Sequence, residues 1–398
     1  MTPKVLIFFP HPLRERHGGP YSFLFHLKEG LKGQTHSISF LSDIISCEQE
    51  EQVSVNSLSP LKKLIKSFIP KKMINDRMAG QWLKELVLKK LVVTKELIEQ
   101  FDILHFHETI DVWRYRNILK NYTGKILLTT HTPKPYHLEL IEDVWKISKD
   151  DLNKQVFKQL GAIDTYAYSK AYILVFACKE AIESYHQLWP AFSEIIKEKR
   201  VQYLPTGIKK QLAPRSKHEL RKQFNIPDDA FVFCFTGRRS GVKGYDLFVN
   251  AAQMLIQQNN YAYFFIVGKK EITPAINDVK WIETGWTDDV GSFIAASDLI
   301  VVPNRHTYFD LSVLETLSLG KPLLLSNTGG NKYFKHFNSP GIFYHEPDAK
   351  SLLNEMINCI DKKPDFTAYG LENEKLYEQY FRAERFAADH ITLYNSIG

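Results

Sequence analysis

The sequence has few cysteines and no apolar run long enough to cross a membrane. Only four of its 398 residues are cysteines: Cys47, Cys178, Cys234 and Cys359. Thiols so far apart form neither a zinc-binding spacing nor the dense disulfide framework of small secreted domains. The longest apolar runs, 172–178 and 261–267, have the length of β-strands and are far shorter than the ~20 residues of a membrane-spanning helix. We therefore expect reduced cysteines in a protein core and a cytoplasmic location.

The first residues lack the pattern of a secretion signal. Their apolar stretch, at residues 4–9, is short, and charged side chains follow it within a few positions. A secretion signal combines a positive start with a longer apolar segment and a small-residue cleavage site. We expect a first β-strand here instead.

The sequence does contain enough apolar surface for large cores. The chain is 44% apolar and 13% aromatic, and its length predicts two or three domains. Patterns typical of strands and of helices alternate along it. The strands are expected at 4–9, 37–41, 103–106, 126–130, 173–177, 231–236, 263–267, 279–284, 299–302 and 322–326, and the helices at 21–31, 81–100, 179–187, 245–258, 289–296 and 311–319.

Repeated strand–helix units predict parallel sheets covered by helices on both faces. The alternation is interrupted where Pro205, Thr206 and Gly207 are followed by a basic stretch. We therefore predict an α/β chain with two doubly wound domains. Because ligands in such domains bind beyond the carboxyl ends of the strands, the cleft between the domains is the expected site.

The net charge of +6 comes from the first half of the chain. Residues 60–90 alone hold nine basic and two acidic side chains. Apolar residues in 61–69 follow helical spacing with lysines between them, and Lys71 and Lys72 come next. The stretch 61–72 fits a basic amphipathic helix on an anionic membrane surface, or a helix packed on its own domain with a solvated lysine face. It lacks interleaved aromatics, so no nucleic-acid partner is expected.

The most informative segment runs from residue 298 to residue 330. A strand expected at 299–302 leads into a loop, and apolar spacing from Leu311 onward predicts that a helix begins there. A helix that starts at a strand end directs unpaired N–H groups and a positive dipole at the cleft, where a phosphate can bind. Glu315, one turn into this helix, is placed to accept hydrogen bonds from a ribose diol.

A glycine-rich loop follows the strand expected at 231–236. Gly237 and Gly244 allow the backbone to turn and to approach a ligand closely. Arg238 and Lys243 add two permanent positive charges, which suit a diphosphate. The loop lacks the spacing and the Ser/Thr of a Walker motif, so it is not a P-loop.

The strand ends of the first half add further candidates. Gly18 and Gly19 either bring the backbone to the same phosphates or form a plain turn. His131 either faces the cleft or fills a structural role. His105 and His107 lie on one side of a strand and could join His131 as zinc ligands. No carboxylate or further spacing supports such a set, and no metal is expected.

Together these motifs resemble the retaining nucleotide-sugar glycosyltransferases of the GT-B fold, of the family-four type (glycosyl transferases group 1). Their order and spacing carry the resemblance along nearly the whole chain. The matching positions are Gly18 and Gly19, the segments 102–107, 130–132, 204–208, 237–244 and 267–268, Gly285, and the segments 297–303, 314–315, 320–322 and 329–330.

The resemblance implies two Rossmann-like domains that face each other across a cleft. Residues 1–206 would bind the acceptor, residues 207–375 would bind the nucleotide sugar, and a last helix in 376–398 would return to the first domain. No cofactor and no metal are implied. Arg238 and Lys243 would hold the diphosphate, and His131 would lie near the transferred sugar. The implied donor site comprises Gly18, Gly19, Arg238, Lys243, Phe309, Leu311 and Glu315, the last on the ribose hydroxyls.

One departure from the family pattern concerns the loop before the donor-site helix. The family carries two glutamates eight positions apart, and Glu315 matches the second, but Thr307 stands at the first. Tyr308 and Asp310 stand where small residues are common. A carboxylate at 310 repels a diphosphate unless it points elsewhere. Asp310 is therefore a candidate catalytic group that hydrogen-bonds a sugar hydroxyl in place of the missing acid.

The expected function is transfer of a sugar from a nucleotide-diphosphate donor to a hydroxyl acceptor, with retention and without a metal. The resemblance implies a bacterial enzyme that builds a surface glycan (capsule, O-antigen or teichoic type) on a glycan or lipid-linked acceptor, and the Lys-, Ile-, Asn- and Phe-rich composition fits such an enzyme. Such an enzyme is cytoplasmic or peripheral on the inner face of the plasma membrane. Two alternatives stay open: a GT-B epimerase, which needs acid/base carboxylates in the cleft, and a non-catalytic GT-B subunit, which Thr307 and Asp310 favour.

Overall fold

The computed structural model describes residues 2–16, 18–45, 70–88, 92–258, 262–269 and 276–398. Cys47 and residues 61–69 of the predicted basic helix lie outside this part of the chain. Every helix within it is too short or too polar to cross a bilayer. The remaining cysteines, Cys178, Cys234 and Cys359, are buried free thiols, as their apolar surroundings in the sequence predict.

The first domain is built on a six-stranded parallel sheet with strand order β2-β1-β3-β4-β5-β6. The strands are β1 (Val5–Phe8), β2 (Ile38–Phe40), β3 (Ile103–Phe106), β4 (Lys125–Thr129), β5 (Ile173–Phe176) and β6 (Arg200–Tyr203). The α-helices described in this domain are α1 (Gly19–Gly30), α2 (Leu41–Ile44), α3 (Lys71–Leu88), α4 (Lys95–Ile98), α5 (Thr109–Arg114), α6 (Arg116–Leu119), α7 (Tyr136–Glu139), α8 (Lys154–Lys170), α9 (Glu183–Leu188) and α10 (Pro190–Lys197).

The second domain repeats this plan with strand order β12-β11-β10-β7-β8-β9, again parallel. Its strands are β7 (Phe231–Thr236), β8 (Ala262–Val267), β9 (Trp281–Gly285), β10 (Leu299–Val302), β11 (Leu323–Ser326) and β12 (Ile342–His345). The α-helices that follow the first domain are α11 (Lys217–Gln223), α12 (Tyr245–Gln257), α13 (Val290–Ala296), α14 (Leu311–Ser318), α15 (Ala349–Asp361), α16 (Phe366–Tyr380) and α17 (Ala383–Asn395). The predicted pair of doubly wound α/β domains is therefore confirmed.

The central strands are buried on both faces. Strand β1 reads Val-Leu-Ile-Phe, β5 reads Ile-Leu-Val-Phe and β10 reads Leu-Ile-Val-Val, and every residue in them is buried. Helices on both faces of a parallel sheet exclude water from each side, so continuous apolar runs replace the alternation of a half-buried strand. Short apolar runs in the sequence thus predict these strands.

Each sheet reverses its strand order at one point. The reversal falls between β1 and β3 in the first sheet and between β7 and β10 in the second. Loops that leave two such neighbouring strands toward opposite sides open a crevice at their carboxyl ends. These four loops carry Gly18, His107, Arg238 and Asp310, so the topology places the candidate residues at the two crevices.

The chain passes between the two domains twice, and the two connecting segments form hydrogen bonds with each other. The first lies at Gly207 and Ile208, and the second lies at Phe381 and Arg382, just before α17. The Ile208 N–H donates to the Phe381 carbonyl at 2.8 Å, and the Ala383 N–H donates to the Ile208 carbonyl at 3.0 Å. Helix α17 then packs on α1 of the first domain. The return begins later than the predicted residue 376, because α16 still packs on α14 of the second domain.

One predicted helix is wrong in its extent. The helix expected at 81–100 is two helices, α3, which starts ten residues earlier, and the short α4. Between them the N–H groups of Val92 and Val93 donate to the Tyr115 hydroxyl, at 3.2 and 3.3 Å. Because these N–H groups bond to a distant side chain, the helix that the apolar pattern favours is interrupted.

The contact between α1 and α17 leaves no room for a side chain at Gly30. A Cβ built there would lie 1.9 Å from the Ala383 carbonyl oxygen. We expect Gly30→Ala to lower the free energy of unfolding by about 1–3 kcal/mol, the usual cost of overpacking, measured by urea denaturation. Gly80→Ala in α3 is the matched control, because a Cβ there meets open space and alanine favours the helix. Equal midpoints for Gly30→Ala and the wild type would contradict the packing described.

Candidate active site

The loops after β7 and β10 lie side by side at the carboxyl edge of the second sheet. They touch at Gly244, where φ is +63° and a Cβ would lie 1.8 Å from the Pro303 carbonyl oxygen. Arg305 ties them further: its N–H donates to the Val242 carbonyl at 2.9 Å, and its guanidinium pairs with both Asp246 oxygens at 2.5 Å. Glycine is required at 244, and the two loops form one unit.

Asp310 is the N-cap of α14 and the centre of a polar cluster. One carboxylate oxygen accepts hydrogen bonds from the N–H and the hydroxyl of Ser312, at 3.3 and 3.0 Å. The other accepts from the Asn304 amide at 2.8 Å and forms an ion pair with Lys243. Burial disfavours the ionised form, but the Lys243 charge and these hydrogen bonds outweigh burial and lower the pKa of Asp310 to about 2. Asp310 is thus ionised at neutral pH and holds Lys243 at the start of α14.

The residues around the start of α14 turn their side chains into the protein. Phe309 packs against Phe334, and Leu311 packs on the same core. Tyr308 reaches the first domain, where its hydroxyl accepts a hydrogen bond from the Ala177 N–H at 3.3 Å. The backbone of this turn is therefore the part that a ligand can contact.

Two glycines contact the turn that precedes α14. The Gly330 N–H donates to the Thr307 carbonyl at 3.1 Å, and a Cβ on Gly330 would lie 1.8 Å from the Tyr308 carbonyl oxygen. The Gly329 N–H donates to the Glu183 carboxylate of the first domain at 3.2 Å. Gly330 of the second domain thus packs directly against the turn, and Glu183 of the first domain bonds to the adjacent Gly329.

Glu315 lies one turn into α14, and charges from both domains act on it. Burial raises the pKa of its carboxyl to about 7, the nearby Arg16 lowers it, and the charges of Asp310 and Glu15 raise it. Arg16 and Glu15 belong to the loop between β1 and α1, so that loop of the first domain faces α14. The carboxyl oxygens of Glu315 can accept hydrogen bonds from hydroxyl groups. This fits the role that the sequence predicts for Glu315, which is to bind the ribose hydroxyls.

On the first-domain side, Gly18 and Gly19 lie beside His131. Gly18 has φ +103°, a conformation that favours glycine, and a Cβ on Gly19 would lie 3.3 Å from the His131 Cβ. His131 is partly exposed, and burial lowers its pKa to about 3. The glycine turn and the histidine therefore form one surface, with a neutral imidazole in it.

Of the three histidines considered as zinc ligands, His105 bonds to two hydroxyls, and His107 and His131 bond to each other. His105 Nδ1 lies 2.7 Å from the Tyr394 hydroxyl, and its Nε2 lies 2.8 Å from the Thr129 hydroxyl. His107 Nδ1 lies 3.0 Å from His131 Nε2. In the part of the chain that the structure describes, no group of three or more His, Cys, Asp or Glu side chains is arranged to hold a metal.

Arg238 is exposed, and its charge acts on Glu139, a residue to which the sequence assigns no role. Burial raises the pKa of Glu139 to about 7, and Arg238 opposes that rise. Glu139 ends α7 in the first domain. A single acidic residue after a strand-end loop is too common a pattern to be singled out from sequence.

The structure thus brings the predicted residues together in two groups. The second-domain group comprises Arg238, Lys243, Phe309, Asp310, Leu311 and Glu315, and the first-domain group comprises Gly18, Gly19 and His131. Across the cleft, the charge of Arg16 lowers the pKa of Glu315 and the charge of Arg238 lowers that of Glu139.

Residues 216–375 match the model of a family described as glycosyl transferases group 1. The second domain belongs to this family. Among the relatives, a UDP-Gal:α-D-GlcNAc-diphosphoundecaprenol α-1,3-galactosyltransferase of Escherichia coli is 27% identical over 181 residues, 41% of this chain and 46% of the relative. A lipopolysaccharide 1,2-N-acetylglucosaminetransferase of Salmonella typhimurium is 25% identical over 192 residues, 43% and 50% of the two chains. The matches span about half the length of these relatives.

Solved structures of similar fold extend the likeness to the whole chain. Sucrose-phosphate synthase of Thermosynechococcus elongatus has a TM-score of 0.67 at 16% identity, over 100% of this chain and 99% of its own. HepE of Anabaena, in complex with UDP and glucose, has a TM-score of 0.62 at 13% identity, over 99% and 100%. The GT-B fold predicted from the motifs is therefore confirmed, and the match of residues 216–375 to glycosyl transferases group 1 agrees with the family that the motifs resemble.

The raised pKa of Glu315 predicts a pH-dependent stability. The folded chain keeps a proton on this carboxyl up to about pH 7, whereas the unfolded chain releases it near the ordinary value of 4.5. Stability is therefore lost as pH rises through this window, because the folded state must ionise a buried carboxyl. We expect Glu315→Gln to raise the thermal midpoint relative to the wild type at pH 8 and to leave it unchanged at pH 4.

The matched control is Glu198→Gln, which removes an exposed carboxylate from the end of α10. Its midpoint should follow that of the wild type at both pH values. A Glu315→Gln effect of the same size at pH 4 and pH 8 would contradict the buried, protonated carboxyl.

Proposed function

We propose that this chain transfers a sugar from a nucleoside-diphosphate sugar to a hydroxyl acceptor, with retention of anomeric configuration and without a metal ion. The observation that carries the proposal is the placement of Lys243 at the start of α14, one turn from Glu315. A cation, the positive end of a helix and a carboxyl beyond it match the diphosphate and the ribose of one nucleotide. HepE, which shares the fold, is solved with UDP and with UDP-glucose.

In this proposal the diphosphate lies over the backbone at Phe309 and Leu311. Lys243 contacts it from the β7 loop, and the exposed Arg238 approaches from the same loop. Both side chains are cations, and two cations suit a dianionic group. Glu315 then accepts hydrogen bonds from the ribose hydroxyls, which replace the solvation that burial removes from it.

Asp310 has a supporting role in the proposed site. Its two oxygens already accept hydrogen bonds from Ser312 and Asn304 and pair with Lys243. It therefore caps α14 and positions Lys243, and it also places a negative charge close to the diphosphate. A direct hydrogen bond between Asp310 and a sugar hydroxyl stays a prediction. The groups that already bond to Asp310 would compete with that hydroxyl.

The reaction follows from the charges. The bond between the anomeric carbon and the phosphate oxygen breaks, so positive charge develops on the sugar and negative charge on the leaving diphosphate. Arg238, Lys243 and the start of α14 stabilise the leaving group. The acceptor hydroxyl attacks from the same face, and its proton passes to the leaving phosphate oxygen. His131 is neutral and offers a hydrogen bond to the sugar without adding charge to a carbon that becomes positive.

Removal of Lys243 tests the diphosphate site. We expect Lys243→Ala to lower the transfer rate about a hundredfold or more, the scale observed when one charge-stabilising group is lost. The assay measures release of nucleoside diphosphate from a panel of nucleotide sugars with a glycan or lipid-linked acceptor. Lys350→Ala, an exposed lysine on α15, is the control and should keep the wild-type rate. A Lys243→Ala rate within threefold of the wild type would refute the assignment.

Removal of the Asp310 charge tests its supporting role. Asparagine also caps helices, so Asp310→Asn should keep α14 in place while it removes repulsion from the diphosphate. We expect this variant to bind UDP or GDP about threefold to tenfold more tightly in calorimetric titrations. The matched control is Asp348→Asn at the N-cap of α15, where affinity should not change.

Two outcomes would contradict this role for Asp310. Unchanged affinity would mean that the carboxylate does not repel the diphosphate. Unchanged nucleotide affinity with a lost preference among donor sugars would instead support the hydrogen bond to a sugar hydroxyl.

Two other functions have an observation in their favour. The raised pKa of Glu139 supplies one acid/base carboxyl in the cleft, as a nucleotide-sugar epimerase requires. The pairing of Lys243 with Asp310 and the presence of Thr307 favour a non-catalytic GT-B subunit. Incubation of nucleotide sugars without acceptor separates these possibilities: an epimerised nucleotide sugar indicates the first. Failure of UDP and GDP to bind in calorimetry indicates the second.

The proposed acceptor is a growing surface glycan, as in capsule, O-antigen or teichoic-type polysaccharide synthesis in bacteria. The relatives include a galactosyltransferase named for a diphosphoundecaprenol acceptor and a transferase named for lipopolysaccharide. Two further relatives are named as O-antigen biosynthesis glycosyltransferases, at 29% and 32% identity over 27% of this chain.

We also propose that the stretch 61–72 and helix α3 contact the inner surface of the plasma membrane. Lys71, Lys72 and Arg77 are exposed on α3, and the apolar side chains of Met73 and Met78 are exposed with them, at 62% and 40%. Cations beside exposed apolar side chains suit the headgroup region of an anionic bilayer. Sedimentation with phosphatidylglycerol vesicles, compared with neutral vesicles, separates this contact from a merely solvated helix face.

A further inference from the structure

His107 connects His131 to the interior of the first domain. Its Nδ1 lies 3.0 Å from His131 Nε2, and the two rings are nearly parallel, with centroids 5.2 Å apart. Phe23 packs edge-on against His131 with a centroid distance of 4.6 Å. His107 is buried, whereas His131 is partly exposed beside Gly19. The relative position of the two rings is therefore fixed by packing, with one hydrogen bond between them.

Both imidazoles are neutral at physiological pH. Burial, together with the nearby His105, His131 and His390, lowers the pKa of His107 well below its ordinary value, and burial alone lowers that of His131. A neutral imidazole carries one proton, so one ring donates the shared hydrogen bond and the other accepts it. If His107 donates from Nδ1, the proton of His131 must be on its own Nδ1. If His131 donates from Nε2, its Nδ1 is bare.

The other ring nitrogen of His107 indicates which of the two histidines donates the shared hydrogen bond. Its Nε2 is buried and, among the described residues, has no hydrogen-bond partner. A proton there would be an orphaned N–H group, which is rarer in folded proteins than an unsatisfied acceptor. The lower-energy arrangement leaves this Nε2 bare and puts the His107 proton on Nδ1.

Two other buried histidines of the chain show the same choice. His345 and His390 each place Nδ1 next to a carbonyl oxygen, that of Glu346 at 2.6 Å and that of Phe386 at 2.9 Å. A carbonyl oxygen only accepts, so these Nδ1 atoms carry the proton. Their Nε2 atoms are buried, lack a partner in the described part of the chain, and are therefore bare.

We propose that His107 is a positioning residue that holds His131 in the Nδ1–H tautomer, so that His131 offers a hydrogen-bond donor to the cleft. The inference rests on the proposed function in one respect: the group that accepts this hydrogen bond is a hydroxyl oxygen of the donor sugar. A donor at this point favours a sugar with an oxygen at the contacted position over one in which that oxygen is missing.

Nitrogen-15 NMR of protein labelled at histidine tests the tautomer directly. The protonated and bare nitrogens of a neutral imidazole have well-separated chemical shifts, and His131→Gln identifies the His131 signals by their loss. We expect wild-type His131 to be protonated at Nδ1 and bare at Nε2 at pH 7. A proton on Nε2, or a doubly protonated ring, would overturn the inference.

Two substitutions of His107 test the positioning. His107→Asn keeps an amide N–H near the place of Nδ1, whereas His107→Leu keeps bulk and removes the donor. We expect His107→Leu to mix the His131 tautomers and to lower kcat about tenfold, the scale of one lost hydrogen bond, with KM for the nucleotide sugar within threefold of the wild type. His107→Asn should restore the Nδ1–H signal of His131 and most of kcat.

His345→Leu is the matched control, because His345 is buried with the same bonding pattern but lies in the second domain, on β12. It should change neither the His131 signals nor kcat. A folded His107→Leu protein with the wild-type tautomer and kcat would overturn the positioning role. If His107→Leu does not fold, the wild-type spectrum and the His107→Asn variant still decide the question.

The two readouts separate this inference from the proposed function. An Nδ1–H signal without sugar transfer from any nucleotide sugar would refute the proposed function and support the positioning of His131. Sugar transfer with an Nε2–H signal would refute the positioning and support the function.

Discussion

The ion pair of Lys243 with Asp310 is the contact on which the candidate site depends. It joins the β7 loop to the start of α14, and the Asp310 carboxylate also caps that helix. A helix start and a lysine are both positive, so they would repel each other if no anion lay between them. Asp310 supplies that anion in the free protein. In the proposed function, an entering diphosphate would take over part of this role, and its binding would be a competition between two anions for the same positive groups.

The fold explains why these groups meet at all. Strands β7 and β10 are neighbours in the sheet although more than sixty residues separate them in the chain. Their loops leave from the same edge, and the contact of Gly244 with Pro303 sets the distance between them. In the first domain β1 and β3 are neighbours in the same way, and they bring the turn at Gly19 to the histidines. Parallel topology therefore builds both walls of the cleft from residues that are distant in sequence.

Sequence reasoning predicts most of the strands, because buried parallel strands depend on a local pattern, and it places the candidate residues in the strand-end loops. Buried parallel strands are continuous apolar runs, and strand-end loops carry glycine and charge. It misses helices α8 and α15 and strand β12, and it does not anticipate that hydrogen bonds to Tyr115 interrupt the helix predicted at 81–100, between α3 and α4. It also misses Glu139 and the His107–His131 hydrogen bond. The Tyr115 bonds and the His107–His131 hydrogen bond depend on partners far along the chain, and periodicity contains information only about near neighbours. Helices α8 and α15 do carry local signals, in the N-caps Asn153 and Asp348.

The protonation states of the cleft residues determine how much charge the candidate site carries. Burial raises the pKa values of Glu139 and Glu315 to about 7 and keeps His131 neutral, so these two carboxyls carry less negative charge at neutral pH than exposed carboxyls would. In the proposed function, Arg238 would attract the dianionic diphosphate, and the raised pKa values of these carboxyls would lessen its repulsion. Because the turn before α14 is fixed from behind by Gly330, its N–H groups need little rearrangement to meet a phosphate. In the proposed reaction, the cations and the fixed N–H groups would together stabilise the negative charge that develops on the leaving diphosphate.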